Sequence, residues 1–133
     1  MTNAAVFAWL GRAREALSDA RLLADAGRLR ACVNRLYFAC FYAATALLIS
    51  RGLTSSKHSG VRALLHQHVV RSGEVPRDLA RSYDTLFDSR LEGDYQALHE
   101  FSAEDVAVWM DGAERFVTHI EGLLSTESDG TTQ

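Results

Sequence analysis

Residues 28–60, RLRACVNRLYFACFYAATALLISRGLTSSKHSG, decide the fold of this chain. The first two thirds predict one long helix, because apolar side chains recur at helical spacing. They form one stripe, which consists of Leu29, Val33, Leu36, Cys40, Ala44 and Leu47. A second stripe lies roughly opposite and consists of Asn34, Phe38, Phe41, Thr45 and Ile49. A small domain hides two faces of a helix only when that helix is central or shared with another chain. We therefore expect a helical bundle that pairs with a second copy.

The rest of the chain predicts further helices on both sides of this central one. One covers residues 4–26 and ends at Gly27. Three follow, over residues 58–71, from Pro76 to about residue 91, and from a capping box at residues 102–105 to about residue 124. We expect an all-α, up-and-down bundle of four or five helices. It forms a single domain over residues 1–125, followed by a disordered polar tail over residues 126–133.

Length and composition are typical of a soluble globular domain. The chain has 133 residues, of which 47% are hydrophobic and 23% are charged. Its longest apolar run, residues 36–49, is shorter than the ~20 residues that span a bilayer. The N-terminus shows no export signal. We therefore expect a cytoplasmic protein with no membrane partner. Cys32 and Cys40 lie ~12 Å apart along one helix, too far to bond to each other, and both are expected to be buried.

Charged residues are distributed unevenly along the chain. Residues 1–81 hold twelve of the fourteen basic residues and five of the seventeen acidic ones, whereas residues 82–133 hold two and twelve. One interpretation is that the two parts of a single bundle attract each other. The other is that the early helices form a basic face that attracts a polyanion. Thirteen of the basic residues are arginine, which suits phosphate recognition.

Three groups of polar residues are candidates for a binding site. Asn34 and Arg35 interrupt the apolar central helix, where burial without partners would be costly. Arg35 either pairs with an acid of the C-terminal part or lines a polar cleft. Lys57 and His58 stand at a predicted helix start, which favours an anion. The third group follows the fourth helix and contains Arg90, Asp94 and Tyr95. This group fits phosphate binding, although its spacing alone favours a capped turn.

The sequence contains none of the common signatures of metal or cofactor binding. The five histidines lack the spacing of a zinc site. No phosphate-binding glycine loop, dinucleotide fingerprint or serine-nucleophile elbow is present. We therefore predict no metal and no cofactor.

Taken in order, the three polar groups resemble a prokaryotic branch of the HEPN domain family. The matching motifs are Asn34-Arg35-x-Tyr37-Phe38-Ala39-x-Phe41, Lys57-His58-Ser59-Gly60 and Arg90-x-x-x-Asp94-Tyr95, within residues 8–124. The resemblance implies a helical homodimer, often encoded beside a minimal nucleotidyltransferase in a toxin–antitoxin pair. It also implies that active members cleave RNA without a metal, through an arginine followed after four to six residues by a histidine. Here Tyr95 stands in place of that histidine, and His99 lies too far along the chain.

Three functions are therefore expected as alternatives. The first is the HEPN component of a nucleotidyltransferase-linked toxin–antitoxin-type system, in which a dimer cleft binds a nucleotide, an RNA or the protein partner. The residues expected to bind are Asn34, Arg35, Lys57, His58, Arg90, Asp94 and Tyr95. The second is a metal-independent ribonuclease toxin that uses Arg90 with His58 or His99 as a substitute base. The third is a non-catalytic dimer that serves as a scaffold for its partner.

Overall fold

The computed structural model describes residues 3–95 and 100–131, and the side chains of residues 4–90 and 100–127. The helices are α1 (Asn3–Asp25), α2 (Leu29–Ser50), α3 (His58–Leu65), α4 (Arg77–Tyr95) and α5 (Ala103–Thr131). A π-helical segment, His66–Val70, continues α3. No strand occurs in the described part of the chain. The predicted all-α bundle is confirmed.

The central position of α2 follows from its first apolar stripe. Val33, Leu36, Cys40, Ala44 and Leu47 are at most 1% exposed, because α2 packs against α1, α3, α4 and α5. The second stripe is only half-buried within this chain. One face of α2 therefore forms the core, and the opposite face reaches the surface of the bundle.

The length and composition of α2 would also allow it to cross a membrane, and it is the one described helix with this property. However, 61% of its most apolar window is buried inside the bundle. The core helix of a soluble protein has the same length, composition and burial. This feature is therefore weak evidence for a membrane span.

Ion pairs connect the early helices to α5. The contacts join Arg14 to Glu114 and Glu121, Arg21 to Glu114, and Arg51 to Glu74 and Glu127. The Arg14 Nε donates to Glu121 at 2.9 Å, and the Arg51 Nε donates to Glu127 at 2.7 Å. Attraction between the two parts of the bundle thus accounts for a share of the charge asymmetry.

Several helix ends coincide with the predicted signals. Gly27 has a φ of 74°, a conformation that suits glycine, directly after α1. The Ser102 Oγ accepts a hydrogen bond from the Asp105 N–H at 3.0 Å, as the capping box requires. These signals are local, which is why they could be identified from the sequence.

Two predictions about helix ends are wrong. The helix α4 continues through Tyr95, so the segment from Arg90 to Tyr95 is helical rather than a capped turn. The helix α5 continues to Thr131, past the predicted end near residue 124. Long-range contacts explain both differences. Arg90 lies over an aromatic ring of α2, and Glu127 accepts a hydrogen bond from Arg51.

Candidate functional site

An aromatic wall on α2 surrounds the histidine at the start of α3. The ring centroids of Tyr37, Phe38 and Phe41 lie 5.8, 5.7 and 4.4 Å from that of His58. Positions 37, 38 and 41 share one side of α2 because residues three and four apart are neighbours on a helix. The first two sequence motifs of the family resemblance therefore meet in space.

Two guanidinium groups lie close to the same ring of this wall. The Cζ atoms of Arg35 and Arg90 are 5.0 and 5.4 Å from the centroid of Phe38. The Arg90 Cζ is also 4.8 Å from the centroid of Tyr37. Such cation–π contacts are each worth ~0.5–2 kcal/mol, depending on how far they are shielded from water. The helix α4 thus brings Arg90, the first residue of the third motif, to the first two motifs.

A cavity of about 400 Å³ opens beside these guanidinium groups. It is lined by Leu23, Arg30, Ala31, Val33, Asn34, Arg35, Arg90 and Phe101. None of these described residues is acidic. Its volume is within the usual range of small-molecule sites. The lining combines cationic groups, one amide and apolar surface, which suits an anionic organic ligand.

The position of Arg35 decides between the two interpretations of that residue. Its Nη2 and Nε atoms donate to the Asn34 Oδ1 at 3.2 and 3.4 Å. Arg35 makes no ion pair with any described residue. Among the described residues, the alternative that Arg35 pairs with an acid of the C-terminal part therefore finds no support. Arg35 lines a polar cleft, and the Asn34 amide helps to orient it.

The environment of His58 favours its neutral form. Burial lowers the pKa of His58, and the nearby Arg90 guanidinium lowers this pKa further. Both effects disfavour a second positive charge on the ring. At neutral pH the imidazole therefore offers one N–H donor and one acceptor nitrogen.

The titration of His58 provides a direct check of this environment. We expect NMR of the imidazole protons to give a folded-state pKa below the ordinary value of ~6.5. The unfolded chain then binds more protons between these two pKa values, so the stability from neutral His58 is present above ~pH 6.5 and is lost as the pH falls. Replacing Arg90 with glutamine should raise the pKa of His58 while leaving it below the ordinary value, because burial is the larger cause. An unchanged pKa in that variant would contradict the proposed proximity.

Gly60 allows α3 to start close to the preceding loop. A Cβ atom at position 60 would lie 2.0 Å from the Ser55 Oγ and 2.9 Å from the Ser55 Cβ. The Ser55 Oγ accepts a hydrogen bond from the Lys57 N–H at 3.2 Å, which orders the residue before α3. Glycine is thus needed at the last position of the Lys57-His58-Ser59-Gly60 motif, because a larger residue would collide with Ser55 next to the start of α3 and His58.

Replacing Gly60 with alanine should therefore destabilise the fold. We expect a loss of about 1–3 kcal/mol in the free energy of unfolding, because Ser55 must move. Chemical denaturation measures this loss, and adding Ser55→Gly should restore part of it, because the clash is removed but the hydrogen bond from the Lys57 N–H is lost. Gly122→Ala is the control, since nothing lies within 4 Å of its Cβ, and it should stabilise α5 by about 0.5–1 kcal/mol. Equal effects of the two alanine variants would contradict the argument.

The remaining predicted residues lie apart from the cavity or outside the described side chains. The Lys57 side chain is exposed and does not line the cavity. The side chains of Asp94 and Tyr95, and the whole of His99, lie outside the described residues. Their predicted roles stay predictions.

Sequence reasoning missed Arg62 as a member of this surface. The Arg62 Cζ lies 4.0 Å from the centroid of Phe87, whose ring is 5.9 Å from that of Tyr37. A signal was present, because Arg62 is four residues after His58 and therefore lies on the same side of α3. Arg30 and Phe101 line the cavity as well, and no sequence pattern distinguishes them.

Neither the cysteines nor the histidines of the described residues assemble into a metal site. Among the side chains that the structure describes, no group of three or more His, Cys, Asp or Glu residues is placed to hold a metal ion. Cys32 and Cys40 are free and buried, as predicted, and burial raises the pKa of Cys32 to about 11. The structure thus offers no reactive thiolate near the cavity.

The fold and the three converging motifs define the class of this protein. Residues 6–123 match the HEPN domain family, so the chain belongs to that family. It is 46% identical over 116 residues to a UPF0332 protein of Thermotoga maritima, which covers 87% of this chain and 88% of the relative. The resemblance expected from the sequence motifs is confirmed.

Two further relatives cover most of the chain. A UPF0332 protein of Gloeobacter violaceus is 34% identical over 109 residues, covering 81% of this chain and 86% of its own. A protein of Methanocaldococcus jannaschii that carries the name "Putative toxin MJ0605" is 30% identical over 112 residues, covering 84% and 83%. At least one relative of this chain is therefore named as a toxin.

Proposed function

We propose that this chain is the HEPN component of a toxin–antitoxin-type system and binds the phosphate of a nucleotide or RNA in the cavity beside Arg35 and Arg90. The observation that carries the proposal is that the two guanidinium groups that converge on Phe38 both belong to residues lining that cavity. The toxin names of two Methanocaldococcus jannaschii relatives support the system class.

The lining of the cavity favours a nucleotide over a simple anion. Arginine presents a planar fork that matches phosphate oxygens. Asn34 contributes an amide that can bond a base or ribose edge, although its oxygen also orients Arg35. Leu23 and Phe101 supply apolar surface for a ring or sugar. A nucleotide offers groups that match all three kinds of surface.

The second copy and the protein partner are part of the same proposal. The outer stripe of α2, which includes Phe38, Phe41 and Ile49, is half-buried in the single chain and would be covered by the same stripe of another copy. The family resemblance supports a minimal nucleotidyltransferase as the partner. Sedimentation equilibrium of the purified protein should give twice the chain mass. A monomer at all concentrations would remove the dimer from the proposal.

Equilibrium binding of the purified protein to mononucleotides and to short RNA tests the site. We expect Arg35→Ala to weaken binding about tenfold or more, because a charged hydrogen bond contributes ~1.5–3 kcal/mol. The control is Arg115→Ala on α5, whose side chain is 60% exposed and lies 3.7 Å from Asp78. Wild-type protein that binds neither ligand would reject the proposal, as would equal losses in the two variants.

A second candidate function is the metal-independent ribonuclease. The observation in its favour is that His58 and Arg90 lie close enough for the arginine charge to lower the pKa of the histidine. A neutral imidazole can accept a proton, as a general base must. Labelled RNA incubated with a chelator should then be cleaved by the wild type and stay intact with His58→Gln. Expression of the wild type in cells should arrest growth, and expression of His58→Gln should not. Intact RNA and normal growth with the wild type would leave only the binding function.

A further inference from the structure

A second cationic surface lies at the other end of α4. Arg71, Arg77 and Arg81 line a cavity of about 340 Å³ together with His66, Val70 and Asp84. Arg77 and Arg90 are separated by thirteen residues of one helix, which corresponds to ~20 Å. This arginine cluster, residues 71, 77 and 81, is therefore distinct from the cavity beside Arg35.

The arginine cluster has no acidic partner among the described residues, as is also true of Arg35. Arg71, Arg77 and Arg81 are exposed and make no ion pair with any described residue. In contrast, Arg14 and Arg51 are held by acids of the same chain. The internal attraction that explains part of the charge asymmetry thus leaves these three charges available to a ligand.

The acids near the cluster are engaged by other groups. Asp84, which lines the same cavity, lies 2.9 Å from the His66 Nε2 and 3.7 Å from Arg62. Glu74 contacts Arg51, and Asp78 lies 3.7 Å from Arg115. The local balance around the three arginines is therefore positive.

The three arginines of the cluster come from two chain segments, the end of the π-helical segment and the start of α4. Arg77 and Arg81 are one turn apart on α4, with ~6 Å between their Cβ atoms. Arg71 follows the π-helical segment, and its N–H donates to the His66 carbonyl at 3.0 Å. Single π-helical turns are often found at functional sites. The cluster thus faces one cavity from two sides.

A neighbouring cavity extends from the cluster towards Arg62. His66 and Asp84 also line a neighbouring cavity of about 460 Å³, together with Ser59, Arg62, Ala63 and Asp88. Arg62 lies 3.7 Å from both Asp84 and Asp88, so with His66 neutral this middle section carries a formal charge of −1. Beyond it, Arg62 covers Phe87, whose ring contacts Tyr37 beneath Arg90. A mixed-charge section with one arginine and two carboxylates thus lies between the two cationic sites.

We propose that the arginine cluster binds the sugar–phosphate backbone of a single-stranded RNA whose other end occupies the cavity beside Arg35 and Arg90. This inference rests on the proposed function and adds a second contact to it. One strand of a duplex carries a phosphate every ~3.4 Å along its axis, so ~20 Å corresponds to about six nucleotides, and an extended single strand covers it with fewer. A regularly charged linear polymer therefore matches two arginine sites at this separation better than a compact acidic ligand does.

The test compares a mononucleotide with a single-stranded RNA of about ten nucleotides, long enough to reach both sites. The variant is Arg77→Gln/Arg81→Gln, measured by fluorescence anisotropy over a range of salt concentrations. We expect its RNA affinity to fall about tenfold, and the slope of log affinity against log salt to decrease by about 1.4, or ~0.7 for each lost contact. Mononucleotide affinity should stay the same. Arg21→Gln/Arg28→Gln carries the same change in net charge on another part of the chain and should leave both affinities near wild type.

Each result separates this inference from the proposed function. RNA that binds no tighter than the mononucleotide, or that is insensitive to the α4 variant, overturns the inference and leaves the Arg35–Arg90 cavity intact. RNA binding that depends on Arg77 and Arg81 but is unchanged by Arg35→Ala rejects the Arg35–Arg90 cavity and overturns the two-site inference. If Arg77→Gln/Arg81→Gln keeps its RNA affinity but no longer binds an acidic protein partner, the cluster is a protein-docking surface and the inference is overturned.

Discussion

Replacing Arg90 with alanine should weaken nucleotide or RNA binding by ~10–100-fold, the largest loss expected from a single substitution at the cavity. A hydrogen bond to a charged group contributes ~1.5–3 kcal/mol, which corresponds to that range. Arg90 lines the cavity, lies 4.8 Å from the Tyr37 ring centroid and influences the pKa of His58. One substitution therefore removes a ligand contact and alters the environment of a neighbouring group.

Arg90→Lys separates the contribution of charge from that of shape. Lysine keeps the positive charge but loses the planar fork, so we expect an affinity between those of the wild type and Arg90→Ala. Thermal unfolding followed by circular dichroism should show that both variants remain folded. Wild-type affinity in the folded alanine variant would exclude Arg90 from the binding site.

A pair of substitutions on α2 should separate folding from binding. Leu36 is 0% exposed, and Leu36→Ala is expected to cost about 2–5 kcal/mol in the free energy of unfolding. Phe38, two residues later, is half-buried, and its ring makes cation–π contacts with the guanidinium groups of Arg35 and Arg90. Phe38→Ala should therefore cost less stability but weaken binding about tenfold, because both guanidinium groups lose their support.

Urea denaturation and equilibrium binding on the same protein samples measure the two effects. The folded fraction of Leu36→Ala should bind with wild-type affinity, since its side chain faces the core. If Phe38→Ala binds normally, the aromatic wall does not position the arginines. If Leu36→Ala loses no stability, the first stripe of α2 is not the core of this bundle.

The sequence predicted those parts of the fold that depend on local periodicity and capping. The first stripe of α2 is buried, Gly27 follows α1, and Ser102 caps α5, because each of these features is determined by a few adjacent residues. The meeting of residues 34–41, 58–60 and 90 was anticipated by the family resemblance. Their separation along the chain gives no geometric information by itself.

The features that the sequence did not predict depend on distant contacts. The helical state of residues 90–95 accompanies a contact between Arg90 and a ring 53 positions earlier in the chain, the Tyr37 ring. The helical state of residues 126–131 accompanies the contact between Glu127 and Arg51. The charge asymmetry had two interpretations, attraction within the bundle and a basic face for a polyanion. Only the three-dimensional structure shows which arginines pair with acids of the same chain. Periodicity does not encode such partners.

The spacing of acids along α5 has a consequence for the axial alignment of the bundle. Arg14 and Arg21 are seven residues apart, as are Glu121 and Glu114, so the antiparallel helices match at two levels. Apolar seams are non-directional and tolerate sliding by one turn, whereas such a displacement of ~5.4 Å would separate both matched pairs together. Weak surface charges can therefore specify the register of neighbouring helices, even where they add little to the overall free energy.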